Sequence, residues 1–98
     1  MRPQRRRALL SPQTMPALKP HVRLQFDPVR GAWAVLSPEK VFWPDDVSLD
    51  ILRLCDGCRP VTLIVEELAA QYEAPADEIT ADVETFLQDW SDRSLVLL

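Results

Sequence analysis

Hydrophobic and polar positions change period along this chain, from two to about 3.6. Val22, Leu24 and Phe26 alternate with Arg23 and Gln25, as a half-buried strand requires. Asp27-Pro28-Val29-Arg30-Gly31 is turn chemistry: Pro28 presets one φ angle and Gly31 accepts a positive one. Alternation resumes over residues 32–36, with Trp33 and Val35 on one face. Ser37-Pro38-Glu39 then turns the chain into a short third strand of Lys40, Val41, Phe42 and Trp43. These spacings predict a three-stranded antiparallel meander, whose apolar face needs a cover.

Helical periods supply it. After Pro44, either Asp45 or Asp46 can cap a helix whose core face is Val47, Ile51, Leu54 and Cys55, with Leu52 at its margin. Gly57 is the expected terminator, in the left-handed conformation. Thr62 is the expected cap of a second helix, which buries Val65, Leu68, Ala69 and Tyr72 and exposes Glu66, Glu67 and Gln71. Asp77 is the expected cap of a third, with Ile79, Val83, Phe86, Leu87 and Trp90 as its apolar stripe. Residues 95–98 read as a short return strand or an ordered tail. The predicted class is α+β and winged-helix-like: a three-stranded antiparallel sheet followed by a three-helix bundle.

A chain of 98 residues forms one domain. Four of its nine prolines (Pro3, Pro12, Pro16 and Pro20) fall in the first 20 residues. Residues 1–17 therefore read as a flexible basic, proline-rich arm, with packing on the domain or on a second subunit as the alternative, and residues 18–98 as the folded domain. Arg2, Arg5, Arg6 and Arg7 resemble the head of a targeting signal. Only Ala8, Leu9 and Leu10 follow before Ser11-Pro12, too few apolar residues for a signal peptide, and no run is long enough to span a bilayer. The expected location is cytoplasmic, with no membrane partner.

Charge is split along the chain. Residues 1–30 carry seven Lys/Arg against one acid, and residues 31–98 carry four against fourteen. A winged-helix DNA-binding regulator is the alternative that three helices suggest, but it needs a basic recognition helix. The third helix has only Arg93, at its end, so no nucleic-acid partner is expected.

Catalytic chemistry has little to build on. His21, the only histidine, has no neighbour to orient it as a base, and two glycines make no phosphate loop. Cys55-Asp56-Gly57-Cys58 has knuckle spacing, but zinc wants four ligands and a redox pair favours a helix N-terminus. The expected roles are a core Cys55 and an incidental Cys58. No catalytic residue, metal or cofactor is expected, and the chain is read as a non-enzyme.

Binding is the better-supported reading. Phe42 and Trp43, at successive strand positions, point to opposite faces, so one of them is left for a groove. On the third helix Glu78, Asp82, Thr85 and Asp89 recur at the border between the apolar stripe and water, suited to a peptide with basic residues. A free sheet edge beside such a row favours strand addition, in which backbone hydrogen bonds hold a peptide and pockets select it. A short chain also gains core by exchanging an arm or an edge between copies, so monomer and homodimer both remain open.

The order of several segments closely resembles one family. They are Leu18-Lys19-Pro20, Arg23-Leu24-Gln25, the 27–33 hairpin, Pro38-Glu39-Lys40-Val41, Ile51-Leu52-Arg53-Leu54-Cys55-Asp56-Gly57 and Leu68-Ala69-Ala70-Gln71-Tyr72. Ala74-Pro75, Ile79, Asp82-Val83 and Phe86-Leu87 complete the set. Over residues 18–98 the chain resembles the PqqD family of pyrroloquinoline quinone (PQQ) biosynthesis. The resemblance implies a peptide chaperone with the architecture called a RiPP recognition element. Such a protein captures the precursor peptide PqqA and presents it to PqqE, a radical S-adenosylmethionine enzyme that joins a Glu and a Tyr of the peptide by a carbon–carbon bond. The resemblance places the peptide between Lys40, Val41, Phe42 and Trp43 on one side and Asp82, Val83, Phe86 and Leu87 on the other. Arg53 and Arg59 are the implied contacts to PqqE. Cys58 stands at a variable position and residues 1–17 lie outside the resemblance, so neither takes a role from it.

Overall fold

The computed structural model describes residues 8–98. Its elements are β1 (Ala17–Leu18), β2 (Arg23–Asp27), β3 (Ala32–Leu36), β4 (Val41–Phe42), α1 (Asp46–Arg53), α2 (Val61–Tyr72), α3 (Ala76–Asp92) and β5 (Val96–Leu97). The class is the expected one: α+β, with a three-stranded antiparallel sheet of order β2-β3-β4 and three helices.

The meander forms where the alternation put it. β2 and β3 pair from Arg23↔Leu36 to Asp27↔Ala32. Between them, the Asp27 carboxylate accepts from the amides of Val29 (2.9 Å) and Arg30 (3.3 Å), and Gly31 adopts φ +64°. The second turn closes as Ser37 donates to the Lys40 carbonyl through both its amide (3.0 Å) and its hydroxyl (2.8 Å). β4 then pairs with β3 alone, Val35↔Phe42 and Leu36↔Val41, which makes it a sheet edge.

Helix starts depart from expectation at two of three places. Asp45 caps α1 as expected, accepting from the Ser48 amide at 2.7 Å; this hydrogen bond also holds the Asp45 carboxyl below its usual pKa. Asp45→Ala should therefore lower stability by about 1 kcal/mol, read as a lower urea midpoint at unchanged slope. α2 starts at Val61 with Pro60 at the cap position, not at Thr62. Its first amides are satisfied from a distance: Val61 donates to the Thr14 carbonyl (2.8 Å) and Thr62 to the Pro12 carbonyl (3.2 Å). α3 starts after Pro75, so Asp77 lies inside the first turn, where its charge meets the positive helix end without capping it. The expected role of Gly57 also changes. α1 ends at Arg53, and Gly57 (φ +77°) lies beyond it, donating to the Pro16 carbonyl at 2.9 Å.

These bonds give the N-terminal segment its place. Of the expected arm, residues 1–7 lie outside the described residues. Residues 8–16 run over α3 and the start of α2, with Leu10 packed on the core and Pro16 fully buried. Ala17 and Leu18 then pair with Leu97 and Val96, so residues 95–98 include a return strand. Its partner β1 is an element the alternation did not indicate, because two residues are too few to show a period.

Val35, Ile51, Leu52, Ile64, Leu68, Val83, Leu87 and Val96 form the centre of the core. Two helix faces are rotated from their expected settings. In α1, Leu49 is buried and Val47 is exposed; in α2, Val61 and Ile64 join Val65 and Leu68, while Ala69 is half-buried and Tyr72 exposed. Tyr72 instead donates its hydroxyl to the Asp50 carboxylate, and Gln71 donates to the same group, which ties the end of α2 to α1.

Candidate functional site

Alternation in β4 sends Phe42 inward and Val41 outward, with Trp43 continuing on the outer side. Phe42 meets Trp90 of α3 at 5.6 Å between ring centroids, and Trp90 meets Phe86 at 4.9 Å. A row of three rings thus runs from the edge strand to α3, at separations where aromatic pairs attract beyond their buried area. The Lys40 ammonium lies 5.3 Å from the Phe42 ring centre and adds a cation–π contact at one end.

Among the described residues no strand pairs with the far side of β4, so that edge is open. In an antiparallel ladder, successive residues direct their backbone polar groups alternately toward and away from the partner. Lys40 and Phe42 face β3, as the Ser37–Lys40 bond and the Val35↔Phe42 pair require, so the amides and carbonyls of Val41 and Trp43 face outward.

The structure brings together Lys40, Phe42 and Phe86 through the ring row. Asp82 is exposed on α3, in the same row as Glu78, Thr85 and Asp89. Val83 and Leu87, at 1% and 0% exposure, are packed into the core beneath the surface, so they shape the floor rather than offer contact atoms. Trp43 lies on the opposite face of the sheet, with the Arg30 guanidinium 4.6 Å from its ring centre.

The two arginines suggested for a partner enzyme are engaged within the chain. Arg53 lies 4.9 Å from the Trp33 ring centre and 4.0 Å from Asp50. Arg59 bridges Asp56 (3.4 Å) and Glu67 (3.1 Å). Gln88 carries no signal in the sequence, where it reads as a solvent-facing position on α3. It holds the N-terminal segment in place, donating to the Ala8 carbonyl (2.8 Å) and accepting from the Leu10 amide (3.3 Å).

Cys55 is buried and donates to the Ile51 carbonyl, while Cys58 is exposed; both are free thiols. Burial, with the nearby Asp56 charge adding to it, pushes the Cys55 thiol from 9.0 up to about 12. The unfolded chain gives up this proton near its ordinary value and the folded chain only near 12. The stabilisation is therefore complete below pH 9 and is lost as pH rises through 12. Tyr72 acts in the same direction, raised from 10.0 to about 12 first by its bond to Asp50. Urea midpoints of the reduced protein should fall across this window, and less steeply in Cys55→Ala. His21 is exposed beside Pro20. Among the described residues, no three His, Cys, Asp or Glu side chains are grouped to hold a metal, and no helix is long and apolar enough to cross a membrane.

Fold and site together define a small α+β domain in which an edge strand is joined to a long amphipathic helix by a row of tilted rings. The chain belongs to the PqqD family: the profile described as Coenzyme PQQ synthesis protein D matches residues 32–96. A Rhodopseudomonas palustris protein named PqqA binding protein is 43% identical over 91 residues, covering 93% of this chain and 89% of that protein. One of the same name from Xanthomonas oryzae is 44% identical over 68 residues, covering 69% and 74%. The solution structure of the PqqD truncation of Methylobacterium extorquens PqqCD superposes with a TM-score of 0.77 at 32% identity, over 91% of this chain and 95% of that one. That protein is described as a functional, stand-alone RiPP recognition element. PqqD from Xanthomonas campestris gives 0.58 at 36% identity, over 91% and 99%.

Proposed function

We propose that this protein is a non-catalytic, cytoplasmic peptide chaperone of PQQ biosynthesis, which binds PqqA by strand addition at β4 and presents it to PqqE. The observation that carries the reading is the open edge of β4 beside the Phe42–Trp90–Phe86 row. An extended peptide bonds to the outward backbone groups of Val41 and Trp43, and its inward side chains lie on Phe86 and beside Asp82. Val83 and Leu87 hold that surface from below. The names of the curated relatives and the description of the Methylobacterium extorquens domain support the same reading.

Arg53 and Arg59 are the proposed contacts to PqqE, offered from the end of α1 and the loop after it. Arg53→Glu should then weaken the complex with PqqE at least tenfold while PqqA affinity stays within twofold, both measured by calorimetry. Equal loss of both would place Arg53 in the peptide site instead. A homodimer that exchanged residues 8–18 would repeat the same contacts between two copies, so the proposal holds for either state.

The test of the whole reading is reconstitution. PqqA, reduced PqqE and S-adenosylmethionine should give the Glu–Tyr cross-linked peptide when this protein is added, and little without it. Equal product with and without it would contradict the chaperone role.

A further inference from the structure

The outer face of the β2-β3-β4 sheet carries features that the groove beside α3 leaves unexplained. Cross-strand register places Arg23, Leu36 and Val41 in one row on this face and Gln25 and Ala34 in the next, with Trp43 beside them. Ala34 is small and buried, and the surface dips over it into a hollow of about 290 Å³, lined also by Gln25, Asp27, Pro28, Leu36, Val41 and Trp43. Val41 and Trp43 stay 48% and 44% exposed, though each is large and apolar. Cations flank the hollow. Arg30 stacks on Trp43 and is only loosely paired with Asp27, at 3.9 Å, while Arg23 is exposed along the same row.

We propose that this face is a second contact surface for the same peptide, one that takes apolar side chains accompanied by a carboxylate. The inference rests on strand addition at β4. Residues directly opposite each other on paired strands share a face, with Cβ atoms about 4.5–5.5 Å apart. The backbone groups that β4 leaves free belong to Val41 and Trp43, whose side chains point outward. The peptide residues directly opposite them therefore project onto the outer face and not into the α3 groove. Their apolar groups cover Val41, Trp43 and the hollow over Ala34, and a carboxylate among them meets Arg30, whose guanidinium lies over Trp43. The alternate residues face the acidic row of α3. One added strand is thus read on both faces: acidic and apolar outward, basic and apolar inward.

The protein has three tryptophans, which makes the test direct. With 5-fluorotryptophan incorporated, Trp43→Phe identifies the Trp43 resonance, and synthetic PqqA is titrated in. The Trp43 resonance should shift along the same saturation curve as that of Trp90. Trp43→Ala and Arg30→Gln should each weaken binding about tenfold, a change of about 1.4 kcal/mol. Both positions are exposed, so circular dichroism should show an intact fold. Binding that moves Trp90, leaves Trp43 silent and is unchanged in both variants would overturn the outer surface while strand addition stands. A Trp43 shift that appears only when PqqE is added would also overturn it, assigning the face to the enzyme. Absence of PqqA binding to the unaltered protein would remove strand addition and this inference together.

Discussion

Phe86→Asp is expected to weaken PqqA binding by about a hundredfold, a change of about 2.7 kcal/mol. Phe86 is half-buried and meets Trp90 at 4.9 Å, at the α3 end of the ring row that begins at Phe42 of β4. An aspartate there removes an apolar surface of contact and sets a desolvated carboxylate beside the Asp82 charge, against a peptide already called on to bury side chains. Glu66→Ala, on the exposed face of α2, is the matched control and should bind within twofold of the unaltered protein. Calorimetric titration of both, with circular dichroism to confirm the fold, decides the matter. Equal affinities would mean that α3 does not carry the peptide.

Trp90→Ala is expected to cost about 3–5 kcal/mol of stability. Trp90 is buried and stands between Phe42 and Phe86, so its loss leaves a cavity and cuts the contact between the edge strand and α3. For a domain of this size that is a large share of the whole, since total stabilities run to about 5–15 kcal/mol. Urea unfolding should show a sharply lower midpoint, with Trp90→Phe recovering part of it. Trp43→Ala, on the outer face and half exposed, should cost no more than about 1 kcal/mol. A loss for Trp90→Ala no larger than that would show that the ring row does not anchor β4.

Legibility in the sequence followed the length of each pattern. Five-residue alternation around Val22–Phe26 and 32–36 was enough to place β2 and β3, because a period of two repeats several times there; their residue-by-residue register is read from the structure. The α3 stripe was equally clear, and it put Phe86 and Trp90 on the right side of the helix. Opposite faces for Phe42 and Trp43 also follow from the pleat alone. Helix caps were less readable. Thr62 and Asp77 have capping side chains, yet α2 takes its cap bonds from the carbonyls of Thr14 and Pro12, far away in sequence. No local rule sees such partners, and the same long-range docking hid β1. Val83 and Leu87 show a further limit: resemblance can indicate a segment that carries a groove, but exposure decides which of its side chains reach the surface.

The central claim is that a peptide joins the sheet at β4, and backbone amides test it most directly. Amide spectra recorded while PqqA is titrated should show saturable shifts concentrated in residues 40–43 and 82–90. In the complex, the amides of Val41 and Trp43 should become protected from hydrogen exchange, with cross-strand contacts to the peptide backbone. Shifts confined to other segments, or Val41 and Trp43 amides that exchange as freely in the complex as alone, would contradict the account.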